Sequence, residues 1–208
     1  MSLSSNLLLF LAALSAVYLL PGPDMAILMS TAIRRGLKGG LLVSAGLATA
    51  RALQVAASGL GLATAFRVYP ALFDVMRWAG AFYLLWLAWK VWSASDSGAS
   101  DQPLPAQAGT ASFVQGLLTN LLNPKAVLFC ALFLPQFLRP VQGDLVDQYI
   151  FLGAVLVVTG LAFDAFYVVV ANGIGKRLRG SQLAGTLQKA LFAGVFVFTA
   201  LCLAMEKV

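Results

Sequence analysis

Apolar residues fall in six blocks, roughly Leu3–Ile33, Gly39–Phe66, Tyr69–Trp92, Phe113–Leu138, Tyr149–Asn172 and Ala184–Met205. A membrane helix needs about 20 mostly apolar residues, and each block supplies them. The pattern predicts an all-α integral membrane protein with six transmembrane helices. One stretch interrupts it: Ser93–Ser112 is rich in Ser, Gly, Pro and Gln, carries two Asp and has few large apolar residues. It reads as a mobile loop linker. It divides a single membrane domain, 1–208, into three-helix units at 1–92 and 113–208, with 93–112 between them.

Three is an odd number of crossings. If the halves are repeats, the second enters the membrane the other way up, which is the inverted-repeat plan of many secondary transporters. The halves share a second feature. The first helix is interrupted by Pro21-Gly22-Pro23-Asp24 and the fourth by Asn123-Pro124-Lys125. Pro23 and Pro124 are 101 residues apart, as are Asp24 and Lys125. Paired, proline-broken segments at equivalent places point to a transport site.

Composition agrees with the pattern. The chain is 60% hydrophobic and 11% charged, against about 45–50% and about 25% in soluble domains. Its mean hydropathy is +0.86. The net charge of +6 has no basic stripe with interleaved aromatics, so nucleic acid is not expected as a partner. Lys and Arg gather instead at the ends of the apolar blocks. Eight lie in loops 1–2, 3–4 and 5–6, four in the other loops and the termini, and Arg51 and Lys125 within spans. The positive-inside rule then places both termini outside the cytoplasm. The first block has no positive leader and runs past any cleavage site, so it reads as a retained helix. Trp86, Trp89 and Trp92 at one end of the third helix, with Tyr69 and Trp78 at the other, fit aromatic belts.

Several chemistries find no residues. There is no His, and Cys130 and Cys202 each stand alone in an apolar run, so neither a metal site nor a disulfide framework is expected. Both cysteines read as buried small hydrophobes. Gly173-Ile174-Gly175-Lys176 lacks the glycine spacing of a phosphate-binding loop, and Arg177 replaces its Ser or Thr. Serines lack a visible base. The chain is not expected to be an enzyme, to use a cofactor or to hydrolyse ATP.

The breaks carry the chemistry that remains. Pro21, Gly22 and Pro23 strip backbone groups of their helical partners, which in hydrocarbon must be satisfied by protein, water or ligand. Asp24 then stands at a new helix N-terminus. Asn123 can cap the helix that Pro124 begins. Lys125 lies near mid-span, where a charge costs about 2.5–3.5 kcal/mol, so it should face a wet cavity or the bundle interior. An acid and a base at equivalent breaks suit a zwitterion, with Lys125 for a carboxylate and Asp24 for an ammonium group. They also suit a proton-coupled switch, and a plain salt bridge between them is the bland alternative. Arg51 sits near the centre of the second helix, with Gln54 and Ser58 on its face. Beside it Gly36, Gly40, Ser44, Ala48, Ala52 and Ala56 form a small-residue packing stripe. Asp164 is a lone acid in the fifth helix with Gly160 and Tyr167 on its face, and Arg51 is its expected partner. Asn6, Asn120 and Gln115 are further polar groups within spans, read as interhelical hydrogen bonders. Asn120 also falls within the expected cavity.

These residues resemble the LysE/RhtB family of amino-acid exporters. The carriers are Pro21-Gly22-Pro23-Asp24 followed by Arg34-Arg35-Gly36 and Gly46, Gly80-Ala81 with Tyr83-Leu84-Leu85, and Gly116-Leu117-Leu118 with Asn120 through Ala126. Phe133-Leu134-Pro135-Gln136-Phe137 belongs with them. The resemblance implies six helices in the bacterial inner membrane and export of amino acids or close derivatives coupled to the proton motive force. The chain departs from the family at Ala50-Arg51, where an acid is common, and at Asp164. A cation at Arg51 disfavours lysine or arginine as cargo by like-charge repulsion, so neutral or acidic amino acids are expected.

The leading expectation is therefore a secondary exporter of amino acids. Its partners are the amino acid, protons and membrane lipid. The other readings are an ion or metal exporter on a related scaffold and a non-transporting membrane scaffold. A homodimer could pack through helix 2 or through Ala190 and Gly194 of helix 6, and the same small residues serve packing within one chain equally well.

Overall fold

The computed structural model describes residues 3–61, 65, 68–93, 106–138, 144–177 and 182–205. Seven α-helices account for most of them, and the described residues contain no strand. They are α1 (Leu3–Leu19), α2 (Pro23–Gly59), α3 (Pro70–Trp92), α4 (Ala106–Leu121), α5 (Pro124–Leu128), α6 (Leu145–Arg177) and α7 (Gln182–Met205). A π turn (Phe129–Phe133) and a 3-10 turn (Leu134–Phe137) follow α5. Four helices are long and apolar enough to cross a membrane, or five if α4 and the segment after Pro124, bent by 57°, form one span.

Proline and glycine explain the boundaries. Pro23 is the first residue of α2 and Pro124 of α5, where a missing amide costs nothing. The predicted first helix is thus divided, with α1 ending at Leu19 and α2 starting at Pro23. Within α2, Gly36 takes φ +69° and ψ −168°, a conformation essentially reserved to glycine that costs other residues about 1–3 kcal/mol. The chain doubles back there. A Cβ placed on Gly40 would lie 3.0 Å from the Cβ of Ala32, although eight residues of straight helix span about 12 Å. The two legs, 23–35 and 37–59, correspond to the later part of the first predicted helix and to the second. That second helix ends at Gly59; residues 62–64 and 66 of the predicted block lie outside the described residues. α4 begins at Ala106, inside the stretch read as linker, and residues 94–105 of that stretch also lie outside the described residues.

α2 packs mainly on α4 and α6, and α3 on α7. Two apolar cores result. One joins Leu28, Val43, Leu47, Leu87, Val168 and Phe196. The other joins Phe10 and Leu14 of α1 to Cys130, Leu134, Leu152 and Leu156. Leu85, Trp89, Phe166, Leu191 and Phe198 lie exposed on the outside of the bundle, as lipid-facing residues do.

Glycine permits the α2–α4 approach. A Cβ on Gly46 would strike the Phe113 carbonyl, and one on Gly116 the Val43 carbonyl. Gly46→Ala and Gly116→Ala are each expected to lower stability by about 1–3 kcal/mol through overpacking against rigid backbone. The melting temperature of detergent-solubilised protein reads this. Gly194→Ala, where a Cβ meets nothing within 4 Å, is the control, and equal melting of all three variants would contradict the close packing.

Candidate functional site

Each proline deletes a backbone donor, and at Pro21, Pro124 and Pro135 the structure shows what replaces it. In a continuous helix the Val17 carbonyl would receive the amide of residue 21, which is Pro21. Lys125 Nζ donates to it instead, at 2.8 Å. The Asn120 carbonyl would receive the amide of Pro124. Gln54 Nε2 donates to it at 2.8 Å, beside the Asn123 amide at 3.0 Å. In the π turn, the Leu134 amide is drawn back to the Phe129 carbonyl. The Cys130 carbonyl would then need the amide of Pro135, and Ser58 Oγ donates to it at 2.5 Å. Tyr167 Oη donates to the Tyr18 carbonyl at 3.0 Å, again beside the first break. The polar face of α2 and the cation after the second break thus stand in for the donors that proline removes.

The two breaks meet. Asp24, in the first turn of α2, accepts from Asn120 Nδ2 at 2.5 Å and from Asn123 Nδ2 at 3.1 Å. Asn123 also caps α5, its Oδ1 accepting from the Lys125 amide at 3.2 Å. Gly22 is the N-cap of α2 in extended backbone with no side-chain cap. Asp24, Asn120, Asn123 and Lys125 therefore surround one cavity of about 60 Å³, room for a few waters. Asp24 and Lys125 share this cavity without an ion pair between them, so the plain salt bridge among the sequence alternatives is not formed among the described residues.

Arg51 and Asp164 do pair. Arg51 Nη1 and Nη2 donate to the two carboxylate oxygens at 2.8 and 3.0 Å, a bidentate fork. Ser44 Oγ adds a third donor to Asp164 at 3.1 Å. The two residues are 3% and 4% exposed and border the same cavity. The guanidinium also lies 5.1 Å from the ring centroid of Tyr18, within cation–π range. Gly160 makes room for this, since a Cβ there would meet Arg51 Nη1 at 2.6 Å and Tyr18 Oη at 2.8 Å.

Three buried polar atoms on cavity-lining residues have no protein partner: the donor Arg51 Nε and the acceptors Gln54 Oε1 and Asn120 Oδ1. They are groups a polar ligand can use. A second cavity of about 260 Å³ lies against α7 and is bordered by Pro21, Pro23 and Pro124. Gly22, Asn123 and Lys125 border both cavities and form the wall between them. Pro21, Pro23 and Pro124 shape this region through backbone alone.

Asn6 Nδ2 donates to the Phe137 carbonyl at 2.8 Å, an interhelical bond. Cys130 is buried, but Cys202 is exposed on α7 and borders the second cavity, against the reading of both as buried. Tyr18 and Ser44 were missed as site residues. Ser44 was read as packing, although it stands seven residues before Arg51 and therefore on the same helical face.

The matching family model is that of the LysE type translocators, over residues 15–207. A homoserine/homoserine lactone efflux protein of Salmonella typhimurium is 32% identical over 200 residues, 95% of each chain. A leucine efflux protein of Klebsiella pneumoniae is 30% identical over 195 residues, 92% of this chain and 91% of that one. No solved structure matches. By its sequence and its apolar helices, the chain belongs to the LysE type translocators, which are membrane transporters rather than enzymes.

Proposed function

We propose that this protein is a secondary exporter of amino acids or their derivatives in the bacterial inner membrane, coupled to protons and selective for neutral over basic cargo. The observation that carries the reading is the meeting of the two breaks, which puts Asp24, two asparagines and Lys125 around one buried cavity. The relatives' names, efflux of homoserine or its lactone and of leucine, support an amino acid or a close derivative as cargo.

The lining favours a zwitterion. Two carboxylates, Asp24 and Asp164, balance two cations, Arg51 and Lys125. Arg51 spends its charge on Asp164, so the preference for neutral cargo comes from the balance of all four groups. An ammonium group would sit by Asp24 with Asn120 Oδ1 and Gln54 Oε1 as acceptors. A carboxylate would sit by Lys125 and Arg51 Nε. The wall of Gly22, Asn123 and Lys125 is the gate that opens one cavity to the other, since Lys125 can exchange the Val17 carbonyl for a cargo carboxylate. Asp24 is the proton carrier, because it faces the cavity and its two partners are neutral amides.

In this reading α1 with the leg 23–35 makes the first span and the leg 37–59 the second. α3 is the third, α4 with the bent segment after Pro124 the fourth, and α6 and α7 complete two inverted triples with both termini outside the cytoplasm. Purified protein in proteoliposomes tests the coupling. An imposed pH gradient is expected to drive leucine or homoserine uphill. Exchange that proceeds downhill but ignores the gradient would remove the proton from the mechanism.

A further inference from the structure

The inner cavity of about 60 Å³ has room for a few waters, so it can take the ammonium and carboxylate of an amino acid but no side chain besides. The second cavity, about 260 Å³, differs in chemistry as well as in size. Beyond the shared wall it is bordered by Leu128 of α5, by Phe198, Thr199, Cys202 and Leu203 of α7, and by the prolines of the breaks. Thr199 spends its hydroxyl on its own helix, donating to the Val195 carbonyl at 2.8 Å. The polar groups of the wall are committed to the inner side. Lys125 Nζ is held at the Val17 carbonyl and Asn123 Nδ2 at Asp24 Oδ1, and Val17 and Asp24 border the inner cavity. Gly22 is the thin point of the wall. Its backbone is extended, φ −166° and ψ −175°, which any residue adopts. Among the described residues a Cβ there would meet only the Leu20 carbonyl oxygen, at 4.0 Å. Neither conformation nor close packing calls for glycine, and the space a side chain would fill adjoins both cavities.

We infer that the second cavity receives the side chain of the amino acid while its ammonium and carboxylate occupy the inner cavity, and that Gly22 keeps the passage between them open. The inference rests on the amino-acid efflux reading and supplies the basis of its selectivity. An apolar side chain is drawn from water to Leu128, Phe198 and Leu203, and the head group stays with Asp24 and Lys125. Thr199 and Leu203 of α7 then set which side chains fit, because one methylene in an apolar pocket changes discrimination about tenfold or more. The shared wall favours cargo over a lipid acyl chain: Gly22, Asn123 and Lys125 join the apolar cavity to the charged one, and an acyl chain has no use for that neighbour.

Cys202 borders the second cavity and is exposed, whereas Cys130 is buried, so the native protein carries its own reporter. Wild type in phosphatidylcholine vesicles is treated with a small methanethiosulfonate, and modification of Cys202 is followed by mass spectrometry with glycine, alanine, valine or leucine present. Labelling is expected to slow with side-chain size, several-fold with leucine and not at all with glycine, which carries the same head group. Gly22→Val is expected to abolish the protection by leucine by closing the passage. Thr199→Phe, which fills the cavity beyond the wall, is expected to abolish it as well and leaves the breaks untouched. Equal protection by glycine and leucine would overturn the inference. So would protection by decanoate without leucine, which makes the cavity a seat for acyl chains, protection by leucine that survives both variants, and a Cys202 that stays unreactive or unprotected throughout. Uptake of leucine and homoserine into the same vesicles is measured separately. Transport without protection removes the side-chain pocket alone, and absence of transport removes the efflux reading.

Discussion

Arg51→Met is expected to lower stability by about 3–5 kcal/mol, because it leaves the Asp164 carboxyl without its cation in the bundle interior. The bidentate fork and the Ser44 bond are aimed at a carboxylate that is 4% exposed. Asp164→Leu is expected to cost a similar amount by stranding the guanidinium, which would keep only the Tyr18 ring at 5.1 Å. The double variant Arg51→Met/Asp164→Leu removes both charges together and is expected to recover most of the loss. Melting of detergent-solubilised protein in a double-mutant cycle reads the coupling. Losses that simply add would mean that the two side chains stabilise the bundle independently.

Lys125→Met has a double consequence. It removes the cation from the wall between the cavities, and it leaves the Val17 carbonyl without the donor that replaces the amide missing from Pro21. An unpaired backbone carbonyl away from water costs several kcal/mol. Efflux is expected to fall to the vector background and the amount of protein in the membrane to fall with it. Lys125→Arg restores both charge and donor and is expected to restore the amount of protein. Asp24→Asn is the cleaner lesion, since the carboxylate bears on no backbone group. Here the protein is expected to reach the membrane at wild-type level while efflux drops about a hundredfold or more. That drop corresponds to about 2.7 kcal/mol.

Much of this arrangement was legible in the chain. Proline cannot donate, so Pro21, Pro23 and Pro124 announce the two breaks whatever surrounds them. A charge within an apolar block must face inward, so Arg51, Lys125 and Asp164 announce themselves too, and two opposite charges on second helices of equivalent halves announce their pairing. Partner choice was harder, because it depends on how helices turn toward one another. The sequence offered Lys125 to Asp24 as an ion pair, whereas the fold gives Asp24 two asparagine amides and gives Lys125 a bare carbonyl. Gln54 and Ser58 were visible as neighbours of Arg51. Their task of replacing donors lost at Pro124 and Pro135 follows only once α2 lies against α4 and the π turn. Ser44 was hidden for a different reason: a serine within a small-residue stripe packs and hydrogen-bonds with the same atoms. Gly36 was read as one more small residue of the packing stripe, and its positive φ, which reverses the chain between the two legs of α2, is set by tertiary packing.

In the proposed function, amino acids leave the cell through the cavity where the two breaks meet. Cells loaded with dipeptides test it most directly, comparing wild type, Asp24→Asn and an empty vector while all released amino acids are measured together. Selective release of a small neutral amino acid by wild type, lost in Asp24→Asn at equal membrane abundance, is the result expected from this geometry. Equal release from all three would contradict it.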